Sequence, residues 1–337
     1  MKLIIPKYAE KFKCIGASCT DSCCIGWEID LDESTLEKYR TVGGEMGKRL
    51  SRAISYEGCP HITLSGERCP FLNQEGLCEL IINLGEDYLS DICREHPRYY
   101  TTLGDITYGG IGLCCEAAAE LVLSETGTHG YAEIDSYDAE PCECDGELLE
   151  LIMPKKQTFI DILRDNHFGL LEKLKRVFEE AIRLQAKIDG KEVALLTPSR
   201  GDAEGYLIGL FDSLEYMGEE LLPTLREALR GGVCRVELSP VAERYITNVF
   251  IYFLDRYVPR AVEDGDLLAR VTVASVSALA FALLFLSGEK KDLSAAVNTA
   301  KLYSKEIEYN EDNILAIEDS ACEGAFGAAA ILWERLL

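Results

Sequence analysis

The sequence is short of positive charge. Its 337 residues include 34 lysines and arginines against 58 aspartates and glutamates, which gives a formal net charge of -24. The phosphate backbone of a nucleic acid and an anionic membrane surface would both be repelled by such a chain. We therefore expect neither a nucleic-acid partner nor a membrane partner, and a lysine-bearing protein suits the charge best.

A secretion signal and a run long enough to span a bilayer are also missing. Only three consecutive apolar residues precede Pro6, far fewer than the apolar core of a signal peptide. Residues 271–287 are uncharged, but two serines and a threonine dilute the run and acidic residues surround it. We expect a cytoplasmic protein in which this run is a core helix.

Histidine is rare, whereas cysteine is abundant. Of the four histidines, only His96 lies near a cysteine-rich stretch, and its position favours packing. Twelve of the fourteen cysteines lie between Cys14 and Cys144. Thiols stay reduced in the cytosol, so this clustering favours metal or iron–sulfur ligation over disulfides, with buried packing thiols as the alternative.

The spacing of the cysteines leaves the kind of metal open. Thiolate ligands select zinc or iron–sulfur clusters over magnesium or calcium. The gaps Cys14-x4-Cys19-x3-Cys23 are slightly long for zinc hooks, and an adjacent Cys24 is unusual for a zinc site. They do not match the C-x3-C-x2-C motif of radical S-adenosylmethionine enzymes either. From spacing alone, zinc and a cluster are nearly equal alternatives.

The hydrophobic pattern predicts a mainly α protein, in which a small cysteine-rich metal or cluster module precedes an α-helical domain. Short apolar pieces with glycine and proline place the cluster-binding module at residues 1–125. Residues 126–146 are acidic and contain glycine, which predicts a linker. Helical periodicity then extends over residues 147–337.

Local signals predict individual elements within these regions. Alternation over residues 28–32 predicts a short strand, and Ser34 to Glu37 has the pattern of a capping box that opens a helix. Ser239-Pro240 predicts a helix start, and Pro223 a break in the helical pattern of residues 207–229. Tyr108-Gly-Gly-Ile-Gly112 is the nearest approach to a nucleotide-binding loop, but its context favours a tight turn.

Four motifs together point to a known family. They are Cys14-x4-Cys19-x-Asp21-x-Cys23-Cys24-x-Gly26-Trp27, Cys69-Pro-x-Leu with Cys78, Cys93-x3-Pro97-Arg98, and Cys114-x-Glu116. This pattern resembles the flagellin lysine-N-methylases, which belong to a wider group of cysteine-cluster proteins. Tyr252 to Tyr257, Asp264-Gly-Asp266 and Tyr303 to Asn310 are similar to family stretches too, so the resemblance covers nearly the whole chain.

The resemblance implies an enzyme, a protein-lysine N-methyltransferase. It would transfer methyl groups from S-adenosylmethionine to lysine side chains of flagellin or another protein and carry a [4Fe-4S] cluster. The cysteines at family positions are Cys14, Cys19, Cys23, Cys24, Cys69, Cys78, Cys93 and Cys114. Cys59 and Cys115 fall outside the pattern. Eight cysteines exceed the four that one cluster needs, so either a second metal site exists or several are packing thiols.

Methylation of lysine needs a neutral amine, aligned with the methyl sulfonium in a site that excludes water. A carboxylate or a tyrosine can receive the amine's proton, and Asp21, Tyr99 and Glu116 are the candidates near the cysteines. The amino-carboxylate of S-adenosylmethionine would bind an open iron or pair with Arg94 or Arg98. Each of these residues has a structural alternative; Asp21, for example, would cap the turn before Cys23.

Trp27 completes the candidate cofactor site as an aromatic wall. A second hypothesis belongs to another functional class. In it, zinc or a structural cluster stabilises a non-catalytic helical module that binds a basic protein. Structural metal sites are saturated with protein ligands, whereas catalytic ones keep an open position. The number of ligands and the binding of S-adenosylmethionine therefore separate the two hypotheses.

Overall fold

The computed structural model describes every residue except Trp27, Glu28 and Gly232. The chain divides into two compact units. The helical unit comprises Met1–Phe12, Tyr100–Cys114 and Ala118–Leu337, and the cysteine-rich unit comprises Lys13–Tyr99 and Cys115–Ala117. About 59% of the chain is helical, which confirms the mainly α class, and two small sheets complete the structure.

Seven strands are described. They are β1 Lys2–Pro6, β2 Ile29–Asp30, β3 Ile54–Ser55, β4 His61–Ile62, β5 Arg98–Leu103, β6 Ile106–Ile111 and β7 Tyr131–Asp135.

The α-helices are α1 Glu33–Thr41, α2 Gly44–Ala53, α3 Glu79–Leu84, α4 Asp91–Glu95, α5 Glu116–Ser124, α6 Gly146–Arg164, α7 Leu170–Asp189, α8 Ala203–Asp212, α9 Leu221–Arg230, α10 Pro240–Tyr257, α11 Ala261–Asp264, α12 Leu267–Ser287, α13 Leu293–Tyr303, α14 Glu311–Asp319 and α15 Phe326–Leu336.

The cysteine-rich unit has short elements around a small core. Strands β2 and β3 both pair antiparallel with β4, so that Ile29 and Ile54 lie opposite Ile62. Helix α1 begins after Asp32, whose carboxylate accepts a hydrogen bond from the amide of Thr35 at 2.8 Å. The helix therefore starts earlier than the capping box predicted from Ser34, because Asp32 supplies the acceptor.

The sheet of the helical unit differs from three predictions. Its order is β5-β6-β1-β7, with β1 parallel to β6 and antiparallel to β7. Strand β7 lies inside the stretch predicted as a linker; its acidic residues face solvent at a sheet edge and hide the strand pattern. Gly109 and Gly110 are buried within β6 and Gly112 directly follows the strand, so this stretch is not a tight turn. The N-terminal strand thus belongs with the helices, which differs from the predicted 1–125 module.

Helix α12 is the centre of the helical unit. It packs against α7, α9, α10, α13, α14 and α15. Among the described residues it is the one helix long and apolar enough to cross a membrane, and its apolar window is completely buried inside the protein. Its polar residues have partners: Ser275 accepts from the Trp333 indole at 3.2 Å and Ser277 from the Tyr303 hydroxyl at 2.8 Å. The prediction of a core helix is confirmed.

Other helix ends follow the local chemistry of the sequence. Ser239 caps α10 by accepting from the amide of Ala242, and Pro240 is its first residue, as predicted. The break in the pattern of residues 207–229 lies earlier than Pro223, between α8 and α9. Pro223 falls in the first turn of α9, where its missing N–H needs no partner within the helix.

Candidate metal centre

Six thiols of the cysteine-rich unit lie close enough to one another to interact electrostatically. The Cys24 thiol interacts with those of Cys23, Cys69, Cys78 and Cys93. The Cys14 thiol acts on Cys23 in turn. We call Cys14, Cys23, Cys24, Cys69, Cys78 and Cys93 the thiol group. The fold thus brings together six of the eight cysteines that resemble family positions.

Short backbone contacts bring these loops together. The amide of Cys69 donates to the carbonyl of Cys24 at 2.8 Å, which joins the first and second cysteine motifs. Cys78 pairs with Leu72 in an isolated bridge and stands at the N-terminus of α3. Cys69 belongs to the core of the unit, and Cys24, Cys78 and Cys93 pack against that core. The loops are therefore fixed by burial as well as by hydrogen bonds.

Polar groups beside the thiols favour sulfur in its anionic form. Backbone amides of Leu80 and Ile81 donate to Cys78, as the first turn of a helix allows. The amide of Phe71 donates to the Cys69 thiol, and the nearby Ser90 hydroxyl favours the thiolate of Cys93. Amide and hydroxyl donors of this kind surround the cysteine ligands of iron–sulfur sites and tune them.

Burial opposes the anionic form. It raises the pKa of Cys69 to about 12, that of Cys93 to about 11, and that of Cys78 above its usual range. A hydrogen bond between the adjacent thiols raises the pKa of Cys23 and lowers that of Cys24, which Ser22 and Arg68 lower further. A cation that binds here has to replace these protons, since the thiolate is the metal ligand.

The thiol group fits a soft metal by its chemistry. All six donors are sulfur, which suits zinc or an iron–sulfur cluster and not magnesium or calcium. In the part of the chain that the structure describes, however, no three cysteine, histidine or acidic side chains converge as the ligands of a single metal ion. The six thiols lie near one another but are not arranged around a single point. Binding of a metal or cluster would therefore move the loops that carry them closer together.

The structure gives Cys19 and Cys114 different neighbours. The Cys19 thiol donates to the carbonyl of Asp21 at 3.2 Å and approaches Glu116 Oε2 at 3.8 Å. Cys114 is buried in the helical unit, where its thiol is hydrogen-bonded to the hydroxyl of Tyr309. These contacts fit packing or positioning roles for Cys19 and Cys114, since the eight cysteines at family positions exceed the four that one cluster needs.

Glu116, predicted as a catalytic residue, holds a turn in place. Its Oε2 accepts the Thr20 amide at 2.9 Å and the Thr20 hydroxyl at 2.5 Å. It therefore fixes the segment that carries Cys19. The other two catalytic candidates are Asp21, in the same turn, and Tyr99, half-buried in β5.

The two arginines proposed for the cofactor carboxylate have protein partners. Arg94 forms ion pairs with Asp91 and with Glu95, so its charge is balanced within α4. Arg98 donates to the carbonyl of Arg94 at 3.4 Å. Trp27, the third candidate for cofactor binding, lies outside the described residues.

Three neighbours of the thiols were missed by sequence reasoning. They are Ser22 and Arg68, which act on Cys24, and Ser90, which acts on Cys93. Ser22 and Arg68 are close in sequence to Cys23 and Cys69, and Ser90 precedes α4. A search for polar residues next to each cysteine would have found Ser22 and Arg68.

Comparison with known proteins finds no family model that matches the chain. No solved structure is similar to it. Among curated proteins, the flagellar biosynthetic protein FliU of Salmonella muenchen is 28% identical over 140 residues, which cover 39% of this chain and 83% of that protein. The lysine-N-methylase of Salmonella typhimurium is 29% identical over 128 residues, or 36% of this chain. That of Salmonella choleraesuis matches equally.

The match covers 32% of the length of each lysine-N-methylase, so this chain spans about a third of those relatives. Within that span the identity is modest but the similarity is clear. The resemblance to lysine-N-methylases that the cysteine motifs indicate is thereby confirmed over about a third of the chain.

Proposed function

We propose that this protein is an S-adenosylmethionine-dependent methyltransferase that methylates lysine side chains of flagellin or another lysine-bearing protein. The observation that carries the proposal is the thiol group, in a chain similar to proteins named lysine-N-methylase. The similarity to FliU, named for flagellar biosynthesis, supports a flagellar substrate.

The thiol group would hold the [4Fe-4S] cluster. Cys24, Cys69, Cys78 and Cys93 are the favoured ligands, because they interact with one another and lie in or against one core. Cys14 and Cys23 would then be either alternative ligands of the cluster or ligands of a second ion. Three of these four thiols would suffice to hold the cluster and would leave one iron free of protein ligands, which would supply a Lewis-acidic position for an amino-carboxylate.

The reaction forms a bond between the lysine nitrogen and the methyl carbon while the bond from that carbon to sulfur breaks. Its products are S-adenosylhomocysteine and a methylated ammonium, which releases one proton. Asp21 and Tyr99 are the residues that would receive a proton, while Glu116 keeps the turn of Cys19 and Thr20 in place. A net charge of -24 attracts a lysine-bearing protein.

The test uses the whole protein purified without oxygen. We expect iron and sulfide in equal amounts, a visible spectrum that changes on addition of S-adenosylmethionine, and a mass increase of one or more methyl groups on flagellin lysines. Cys93→Ser should lose most of the iron and at least about nine-tenths of the methylation, since a missing thiolate leaves the cluster short of a ligand.

Cys59→Ser is the matched control, because Cys59 is exposed in the same unit and lies outside the thiol group. Equal iron and activity in Cys93→Ser and Cys59→Ser would contradict the assignment of the ligands. Zinc without sulfide, and no binding of S-adenosylmethionine, would instead support the structural module that binds a basic protein.

A further inference from the structure

A cavity of about 550 Å³ lies within the helical unit. It is formed by the end of α6, the first turns of α7 and α10, and the loop of residues 126–128. Its volume is within the range of small-molecule sites, which is roughly 300–1,000 Å³. The methyl transfer proposed above assigns no role to it.

Three cations line this cavity in a chain that is otherwise strongly acidic. Two of them have acidic partners: Arg164 pairs with Glu125 at 2.9 Å, and Lys173 with Glu243 at 3.3 Å. Arg244 has no acidic partner among the described residues, and its Nε is buried without an acceptor. The cavity therefore has one cation whose charge no described carboxylate balances.

Arg244 differs in this respect from the other half-buried arginines that the structure describes. Each of those pairs with a carboxylate: Arg49 with Glu79, Arg164 with Glu125, Arg226 with Asp212, Arg256 with Glu308, Arg260 with Glu311, and Arg335 with Glu204. A buried N–H without an acceptor costs free energy that a bound acceptor would recover. The unsatisfied group thus indicates a ligand that carries an acceptor.

We propose that the cavity binds a small organic anion, whose carboxylate or phosphate group pairs with Arg244. The planar guanidinium matches both groups in a two-pronged hydrogen-bonded pair. The apolar part of the ligand lies against Leu163, Phe168 and Pro240, which supply the apolar wall. The first turn of α10 adds the positive end of a helix dipole on the same side.

The acidity of the whole chain makes this site selective. At a net charge of -24 an anion is repelled from most of the surface, so binding requires a local excess of positive charge. The pairs Arg164–Glu125 and Lys173–Glu243 are balanced, and Arg244 provides that excess. Binding should accordingly weaken as salt is added.

The test titrates the whole chain with benzoate and with phenyl phosphate, which carry one aromatic ring and one of the two anionic groups, and follows ligand signals by NMR. Benzyl alcohol is the uncharged control. We expect at least one anion to bind saturably, and the preferred one identifies the group. Arg244→Gln should weaken binding by about tenfold or more, as loss of a charge-assisted pair does.

Two further variants separate the site from a general effect of charge or folding. Arg244→Lys keeps the charge and should retain more binding than Arg244→Gln. Arg235→Gln removes an exposed arginine of the same unit and should leave binding unchanged. The proposal is overturned if neither anion binds, if benzyl alcohol binds as well as the anions, or if Arg235→Gln weakens binding as much as Arg244→Gln.

Discussion

The two units of this protein are stabilised in different ways. In the helical unit a long helix, α12, is buried along nearly its whole length among six neighbours. In the cysteine-rich unit the strands β2, β3 and β4 have two residues each, and Cys69 is itself part of the core. A small core rarely supplies enough hydrophobic stabilisation alone, and such domains use metals or disulfides.

The contrast indicates where each unit is vulnerable. Loss of apolar volume should damage the helical unit, whereas loss of a bound metal should damage the cysteine-rich unit. The proposed function depends on the cysteine-rich unit, because the thiols of that unit are both packing groups and candidate metal ligands.

The largest effect is expected from removal of the metal or cluster that the thiol group is proposed to bind. Oxidation of the anaerobically purified protein with ferricyanide in the presence of a chelator should unfold the cysteine-rich unit, because structural metals contribute on the order of 10 kcal/mol to small domains. Hydrogen exchange read by mass spectrometry checks this. Amides of α1 to α4 should exchange far faster, while those of α10 and α12 keep their protection. Unchanged exchange in both units would mean that the thiols serve packing only.

A cavity created by mutation in the core around α12 should destabilise the helical unit and leave the cysteine-rich unit unchanged. Phe281 is buried and stacks on Phe285 at 5.7 Å between ring centroids, so Phe281→Ala should lower the free energy of unfolding of the helical unit by about 3–5 kcal/mol. The amount of iron that the thiol group is proposed to bind should not change. Leu196→Ala, at a side chain that is 66% exposed, is the control and should cost less than about 0.5 kcal/mol. Urea unfolding followed by circular dichroism makes the comparison.

The sequence predicts those features that depend on neighbouring residues. Helix α10 begins at Pro240 with Ser239 as its cap, as the local signals predict. The thiol group lies within one unit, but metal ligation by these cysteines stays a prediction. Strand β7 is missed because edge strands with acidic outward residues lack the apolar alternation that marks buried strands.

Features built from distant residues are beyond such patterns. Arg244, on α10, lines the same cavity as Arg164, whose partner Glu125 directly follows α5. Nothing near Arg244 in the sequence shows that its side chain lacks a carboxylate partner. The partner of Cys114, Tyr309, is equally remote in sequence. The pairing of β1 with both β6 and β7 likewise requires the tertiary fold, because no local signal specifies which strands become neighbours.

The helical unit also contains a buried ionic network that the sequence pattern does not predict. His129 Nε2 lies 2.8 Å from Asp255 Oδ2, and its Nδ1 lies 2.9 Å from Glu125. Lys156 pairs with Asp255 at 2.8 Å, and Tyr131 donates to the same carboxylate. In the sequence His129 lies among polar residues of a loop, whereas in the fold its side chain is completely buried.

This network predicts a pH dependence confined to the helical unit. Burial lowers the pKa of His129, but hydrogen bonds to Asp255 and Glu125 outweigh it and raise the pKa to about 9. The raised pKa stabilises the fold fully below pH 6.5, and this contribution is lost as pH rises toward 9. We expect the free energy of unfolding to fall by about 3 kcal/mol over that window.

Urea unfolding at pH 6, 7, 8 and 9.5 measures this loss, and His129→Gln serves as the reference because it removes the titrating ring. The wild-type minus variant difference should shrink as the pH rises. A difference independent of pH would show that folding does not raise the pKa of His129.

The smallest effects compare one helix cap in each unit. Asp32 accepts from the Thr35 amide at 2.8 Å, from the hydroxyls of Ser34 and Thr35, and from the Asp91 amide at 3.0 Å, so it joins α1 to the start of α4, which carries Cys93. Ser239 accepts from a single amide, at 3.2 Å. Asp32→Ala should cost about 2 kcal/mol and Ser239→Ala about 1 kcal/mol.

Hydrogen exchange distinguishes the two caps by position as well as size. Asp32→Ala should speed exchange in both α1 and α4, because one carboxylate holds the two helix starts, whereas Ser239→Ala should affect the first turn of α10 alone. Asp32→Asn keeps an acceptor and should recover most of the loss in α1. If Asp32→Ala left α4 unchanged, its contact with Asp91 would contribute nothing to holding Cys93, and the position of that thiol would depend on the small apolar core and on the proposed metal.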